Sequence, residues 1–346
     1  MMSFNNTFQL SIYFASLLSF FLTFLGCFII IRTNNKFEYQ KSNQKRLSNL
    51  NIVPLGGIAM ASSFFISVRF LGEADSNIQY IALFALGVSV LGIIDDFKNL
   101  NWKLKIVFQL LLVFIPTSQL NLFINIENLI GLNFNNTLNL FFTIFWVLLL
   151  MNSINFIDNM DGFASTNSSF ICIAITVLAF IYNQNYLADI SFILLFCLLA
   201  FSLFNFPPAK IYMGDSGSLF IGYILGFISI LFDWNPGGES YIYSSIAPVF
   251  LFFTIPLLDF STVFFHRIKN NISPATGGTD HISHRMLNQG HSVKKVLAIF
   301  SLINIFIFIL LALSITFKSY SILIFLVYIF FIIFLFLKFQ RMEPLN

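Results

Sequence analysis

An all-α integral membrane protein of about eleven transmembrane helices is the fold the sequence predicts, and three observations predict it. Of 346 residues, 58% are apolar and 10% charged, whereas a soluble domain carries about 25% charged residues. The apolar residues gather in runs that approach the ~20 helical residues needed to cross a hydrocarbon core. When these runs are laid alternately up and down, the lysines and arginines between them fall almost entirely on one side.

The runs can be taken in order. The first, 8–31, has no basic stretch before it and no small-residue cleavage site after it. It is therefore expected as a retained helix rather than a signal peptide. The second, 53–71, opens at Pro54-Leu55-Gly56-Gly57, and the third, 78–94, ends at Asp95-Asp96. The fourth, 104–121, is interrupted by Pro116 and Gln119. The fifth, 138–157, carries Asn152 and Asn155 at its end, and the runs 168–182 and 187–205 follow. Pro207 and Pro208 stop the incoming helix, and the next run, 218–233, opens near Ser216 or Ser218, whose hydroxyls suit an N-cap. Run 243–265 leads into a polar loop, and 294–316 and 320–338 complete the chain. No period of 20–50 residues repeats, so a single domain, 1–346, is expected. Cys27, Cys172 and Cys197 all lie inside apolar runs at unrelated spacing, as core or lipid-facing residues. The 48 phenylalanines read as lipid-facing surface.

Only Arg69 and Lys318 share the side of the N-terminus; the other sixteen of eighteen basic residues lie opposite. By the positive-inside rule the crowded side is cytoplasmic, with the N-terminus outside and the C-terminus inside. All four histidines and Asp95, Asp96, Asp158, Asp161, Asp215 and Asp280 lie on that side, with Asp259 near the inner end of its helix. The outer acids Glu73, Asp75, Glu127, Asp189, Asp233 and Glu239 follow no pattern. The chemistry is thus expected in a cleft at the cytoplasmic face.

Four constellations carry that chemistry. In Asn205–Tyr223, Gly214 and Gly217 allow a sharp turn into a helix whose free N–H groups and dipole suit phosphate oxygens. Asp215 beside such a site would repel a bare anion, but fits if Mg²⁺ lies between them. Asp95-Asp96 sets two carboxylates against a helix C-terminus, a cost of about 0.3–1 kcal/mol each. That points to a general base or a metal-proximal pair. Lys105 and Gln109 share a helical face, so Lys105 is placed for a phosphate or as a snorkelling anchor. In Asn152–Ala164, Asn152 pairs with Asn155 and Asp158 with Asp161 at i, i+3, more polarity than the D-x-x-D-G turn requires. In His266–His291, Asp280-His281-x-x-His284-Arg285 reads as a diphosphate-recognition loop, with a zinc half-site and a plain solvated loop as alternatives.

Taken together, LGG, DD with KLK-x-x-x-Q, N-x-x-N-x-x-D-x-x-DG, NFPPAK-x-x-MGDSGS and DH-x-x-HR run in order from about Pro54 to His291. In this the chain resembles the polyprenyl-phosphate N-acetylhexosamine-1-phosphate transferase superfamily. The resemblance implies transfer of a sugar-1-phosphate from a UDP-amino sugar, by default N-acetylglucosamine, to undecaprenyl phosphate, with release of UMP. It further implies a multi-pass protein of the bacterial inner membrane, Mg²⁺ (or Mn²⁺) as cofactor, a homodimer, and no nucleic-acid partner. By motif, Asn155 and Asp215 would bind the metal, Asp95 would activate the lipid phosphate with Asp96 as its partner, and Asp158 would lie close by. Lys105, Asn152, Asp161, Lys210, His281, His284 and Arg285 would bind diphosphate, uridine or sugar. Three positions depart from the family's pattern: Ser283 stands where HxHH has its middle histidine, Asn159 replaces a frequent glycine, and Pro54 replaces an arginine. The three-histidine run of the pentapeptide-sugar translocase is absent, which ranks that substrate low. A cation-coupled transporter is the second reading, because intramembrane acids often mark ion pathways. It would place the acids at the membrane midplane.

Overall fold

In a hydrocarbon solvent each backbone N–H and C=O must be satisfied within the chain, so long apolar runs become helices. The computed structural model describes residues 2–33, 52–71, 76–124, 135–234, 249–274 and 277–344. Among them there are helices and no strands. The order is α1 (Met2–Thr33), α2 (Gly56–Val68), α3 (Ser76–Lys98), α4 (Trp102–Gln119), α5 (Asn136–Ile157) and α6 (Phe163–Ile181). There follow α7 (Asn185–Asn205), α8 (Gly214–Leu231), α9 (Thr254–Lys269), α10 (Ile282–Asn288), α11 (Val293–Thr316) and α12 (Ser321–Arg341). Short 3₁₀ turns, Arg69–Leu71 and Lys318–Tyr320, follow α2 and precede α12.

Each of the eleven expected runs falls on a helix. Eight of those described are long and apolar enough to cross a membrane: α1, α3, α5, α6, α7, α8, α11 and α12. The other three are α2, with 13 residues, α4, with Pro116 inside it, and α9, with 16. The expected start of the α9 run, 243–248, lies outside the described residues, as do Glu73, Asp75, Glu127 and Glu239. Several boundaries differ from expectation, among them the end of α3, at Lys98 rather than 94, and two of them bear on the site. The helix after the D-x-x-D-G turn begins at Phe163 rather than 168, because its polar first turns are buried in protein rather than facing lipid. Helix α8 begins at Gly214, four residues early, for a reason that lies in the site.

Helix α8 is the centre: 83% of its length is buried, against 17% for α12 at the rim. It packs on α2, α3 and α5. Helices associate in lipid by close approach of small residues, and two glycines show how close. A Cβ on Gly57 would stand 2.0 Å from Gly217 N, and one on Gly92 2.3 Å from Ser216 N. Helices α6 and α7 form a hairpin, α1 covers α2 and α7, and α9, α11 and α12 pack beside α5 and α6. Because successive helices alternate in direction, one end of the bundle collects the C-termini of α3, α5, α7, α9 and α12. The N-termini of α4, α6, α8 and α11 lie there too.

Candidate active site

At that end, four helices deliver one charged cluster. Asp95, in the last turns of α3, pairs with Lys105 Nζ at 2.7 Å, and its other oxygen accepts the Leu100 N–H at 2.8 Å. The same ammonium pairs with Asp215 Oδ2, from the first turn of α8. Asn155, near the end of α5, donates to Asp215 Oδ1 and to Ser218 Oγ, both at 2.8 Å. One helical turn along α4 and α5, Asn152 Nδ2 donates to Gln109 Oε1 at 3.1 Å. The i, i+4 pair of α4 therefore meshes with the i, i+3 pair of α5. Asp95, Lys105, Asn152, Asn155 and Asp215 are thus brought together at one end of the bundle.

The helix N-terminus expected to face a phosphate is already taken. Asp96 Oδ1 accepts the Asp215 N–H at 3.1 Å, and Oδ2 the Ser216 N–H at 3.4 Å. Ser216 and Ser218 do not cap the helix; their hydroxyls bond back to Met213 O and Gly214 O. This corrects both the N-cap and the phosphate-site expectation. A carboxylate of the chain itself supplies the negative charge that the dipole end favours. Gly214, at φ +71°, takes the left-handed turn, and a Cβ there would lie 2.5 Å from Asp96 Oδ2. The adjacent aspartates thus avoid repulsion by diverging, Asp95 to an ammonium and Asp96 to a helix end. Backbone bonds from Gly56 and Gly57 to Tyr212 O and Met213 O dock the LGG segment beside the same turn.

The D-x-x-D-G turn lies next to this cluster. Half-buried Asp158 directly follows α5, and Asp161 Oδ2 accepts the Ala209 N–H at 3.0 Å. Asn205 ties the turn to the α7–α8 loop, accepting from Gly162 N and donating to Ile211 O. Asp161 therefore holds that loop, and Lys210, one residue on, is exposed.

The histidine loop closes the far side. His281 Nδ1 faces Asp259 Oδ2 at 2.8 Å, and Asp259 Oδ1 accepts the Ile282 N–H at 2.7 Å. Ser283 Oγ donates to Asn159 Oδ1, and His284 Nε2 lies 3.2 Å from Asn159 O. Burial, with His281 alongside, lowers the His284 pKa to about 4, so this imidazole is neutral at pH 7. The two histidines are engaged by Asp259 and Asn159, and no group of three or more His, Cys, Asp or Glu able to hold a metal occurs among the described residues. Arg285 is fully buried; Nε donates to Asp280 O at 2.8 Å, and Nη1 to Met342 O and Phe339 O. Its fork is largely occupied by main-chain carbonyls, fastening the end of α12 to the loop. Burial would raise the Asp280 pKa, but the bidentate Arg267 guanidinium holds it below the usual carboxylate range.

Sequence reasoning gave no role to Asp259 or Arg267. The signal for Asp259 was available: an acid inside an apolar helix is functional or paired by default.

The family model described as glycosyl transferase family 4 matches residues 78–233. A Bacillus subtilis (strain 168) protein described as a probable undecaprenyl-phosphate N-acetylglucosaminyl 1-phosphate transferase is 30% identical over 78% of this chain and 74% of its own length. The chain belongs to glycosyl transferase family 4. Two further relatives of this family member are phospho-N-acetylmuramoyl-pentapeptide-transferases. The one from Streptococcus equi subsp. equi (strain 4047) is 31% identical over 62% of this chain and 71% of its own length. The one from Staphylococcus carnosus (strain TM300) is 26% identical over 64% and 77%. The matched stretch 78–233 holds Asp95, Asp96, Lys105, Asn155 and Asp215, but not the histidine loop.

Proposed function

We propose that the protein transfers a sugar-1-phosphate, N-acetylglucosamine-1-phosphate by default, from a UDP-sugar to undecaprenyl phosphate at the cytoplasmic face of a bacterial inner membrane. The single observation that carries this is the meeting of Asp95, Lys105, Asn155 and Asp215 at one end of the bundle. Asp95 and Asp96 lie in the last turns of α3 and Asp215 in the first turn of α8, an arrangement that gives the transporter reading no support.

In the proposed reaction an oxygen of the lipid phosphate attacks the β-phosphorus of the sugar nucleotide. The bond to the bridging oxygen breaks, UMP leaves, and the lipid carries the sugar diphosphate. The donor set fits a divalent ion. Two carboxylates, Asp95 and Asp215, already converge on a cation, and hard ions such as Mg²⁺ are held by one or two carboxylates plus substrate phosphates. When bound, Mg²⁺ (or Mn²⁺) would screen the negative charge of the diphosphate. Asp215 and Asn155 would hold it, with Asn155 aligned by its bond to Ser218. Lys105 would then turn from the carboxylates to a phosphate oxygen. Direct attack by the lipid phosphate is the proposed route rather than an aspartyl-phosphate, because that phosphate is already an anionic nucleophile needing only position and charge screening. Asp96 contributes by fixing Asp215 on its helix end.

The orientation goes with this reading: eleven crossings in one domain, N-terminus outside, and the site where sixteen of eighteen basic residues lie, near an anionic headgroup. The experiment is a turnover assay with purified protein, UDP-N-acetylglucosamine, undecaprenyl phosphate and Mg²⁺. UMP release by the wild type and its loss in Asp95→Asn support the reading. Equal release by both removes Asp95 from its role, and no release with any UDP-sugar of a panel rejects the reaction.

A further inference from the structure

Two of the departures from the family's pattern, Asn159 and Ser283, are 124 positions apart in the chain and hydrogen-bonded to each other. Asn159 sits in the turn between Asp158 and Asp161, and Ser283 in the first turn of α10. Both are buried, Ser283 completely. Asn159 makes three bonds at once. Its amide donates to Phe156 O at 2.6 Å, its Oδ1 accepts from Ser283, and its main-chain carbonyl faces His284 Nε2. A carbonyl can only accept, so His284 Nε2 carries the ring proton. The ring is neutral, which makes Nδ1 an acceptor. That atom is buried and has no hydrogen-bond partner among the described residues. A buried acceptor without a partner is costly, and an O–H or N–H group of a ligand would satisfy it.

We propose that Asn159 and Ser283 form one positioning unit that docks α10 on the Asp158–Asp161 turn and holds His284 in its Nε2-protonated form, with Nδ1 presented to a hydroxyl or amide N–H of the sugar nucleotide. The inference rests on the proposed reaction for the identity of that ligand. It explains why the two departures occur together. Glycine at 159 has no side chain to reach position 283, and a histidine at 283 fills the space that the Asn159 amide and the Ser283 hydroxyl now share. The Asn–Ser and Gly–His pairs are alternative fillings of one space, and half-exchanges are not. Asn159→Gly leaves the Ser283 hydroxyl without its acceptor, whereas Ser283→His alone overpacks a buried position.

The test compares wild type, Asn159→Gly, Ser283→His, the Asn159→Gly/Ser283→His double variant, and the milder Ser283→Ala. For each, KM for the sugar nucleotide is measured at saturating undecaprenyl phosphate and the reverse, together with the melting temperature. Asn159→Gly and Ser283→Ala are expected to raise KM for the sugar nucleotide about tenfold and to leave KM for the lipid within about twofold. The double variant is expected to return close to wild type. Multiplying defects in the double variant overturn the proposal, as do equal rises in both KM values or a change in melting temperature alone. Should the wild type release no UMP, the proposed reaction fails by itself. The unit is then judged by the melting temperatures, where recovery in the double variant supports it and additive losses reject it.

Discussion

Two polar clusters share one end of this bundle, and they differ in charge balance and in access to water. Around Lys105, one ammonium serves two carboxylates, and the three side chains remain 13–21% exposed. Around Arg267, one guanidinium meets one carboxylate in a two-bond fork, with Arg267 only 2% exposed and its third nitrogen on Pro274 O. The first cluster keeps a surplus negative charge that water and ions can reach, so it attracts a further cation. The second is closed and locally balanced, so it holds the chain. Residue type alone does not separate a ligand site from a strut, because both are built from aspartate and a base.

Four substitutions would break or sharpen this contrast. The largest effect is expected from Asp215→Ala in the open cluster: UMP release should fall at least about a thousandfold while the melting temperature hardly moves. In the closed cluster the pattern should invert. Arg267→Ala strands a buried carboxylate and should cost about 3–5 kcal/mol of stability, seen as a large drop in melting temperature. The same ion pair has a sign in pH. Asp280 is held below its ordinary pKa, so its contribution is complete above the usual carboxylate range and is lost as pH falls through the lowered value. Lys105→Met should lower turnover about a hundredfold by removing a phosphate ligand and leaving two carboxylates face to face. The smallest effect concerns His284. Its pKa falls from the ordinary 6.5 to about 4 on folding, so the folded state binds fewer protons between those values. Stability is complete above 6.5, declines as pH falls from 6.5 to 4, and should decline less in His284→Gln, as pH-dependent melting would show.

Much of the site could be read in the chain because polar groups at helix ends in an apolar protein are costly unless they do something. Asp95, Lys105, Asn155 and Asp215 were legible on that ground, and they meet. Asp96 and Arg285 were legible as residues but not as partners. Asp96 reaches a helix end 119 residues away, and Arg285 reaches carbonyls 54 and 57 residues away. The start of α8 was misplaced for the same reason, since its cap comes from another helix. Asp259 stands out in the sequence as an acid inside an apolar helix, but its partner does not, because His281 lies in a loop whose approach to α9 leaves no periodic trace.

What the residues alone determined is the helical membrane architecture and the set of side chains that chemistry could use. In lipid, backbone hydrogen bonding is satisfied within each segment, so segment identity is a local matter. Which of those side chains stay open to a ligand and which are spent holding helices together was decided only when the helices packed. Charge balance and burial depend on neighbours far away in the chain, and proximity of that kind exists only in three dimensions.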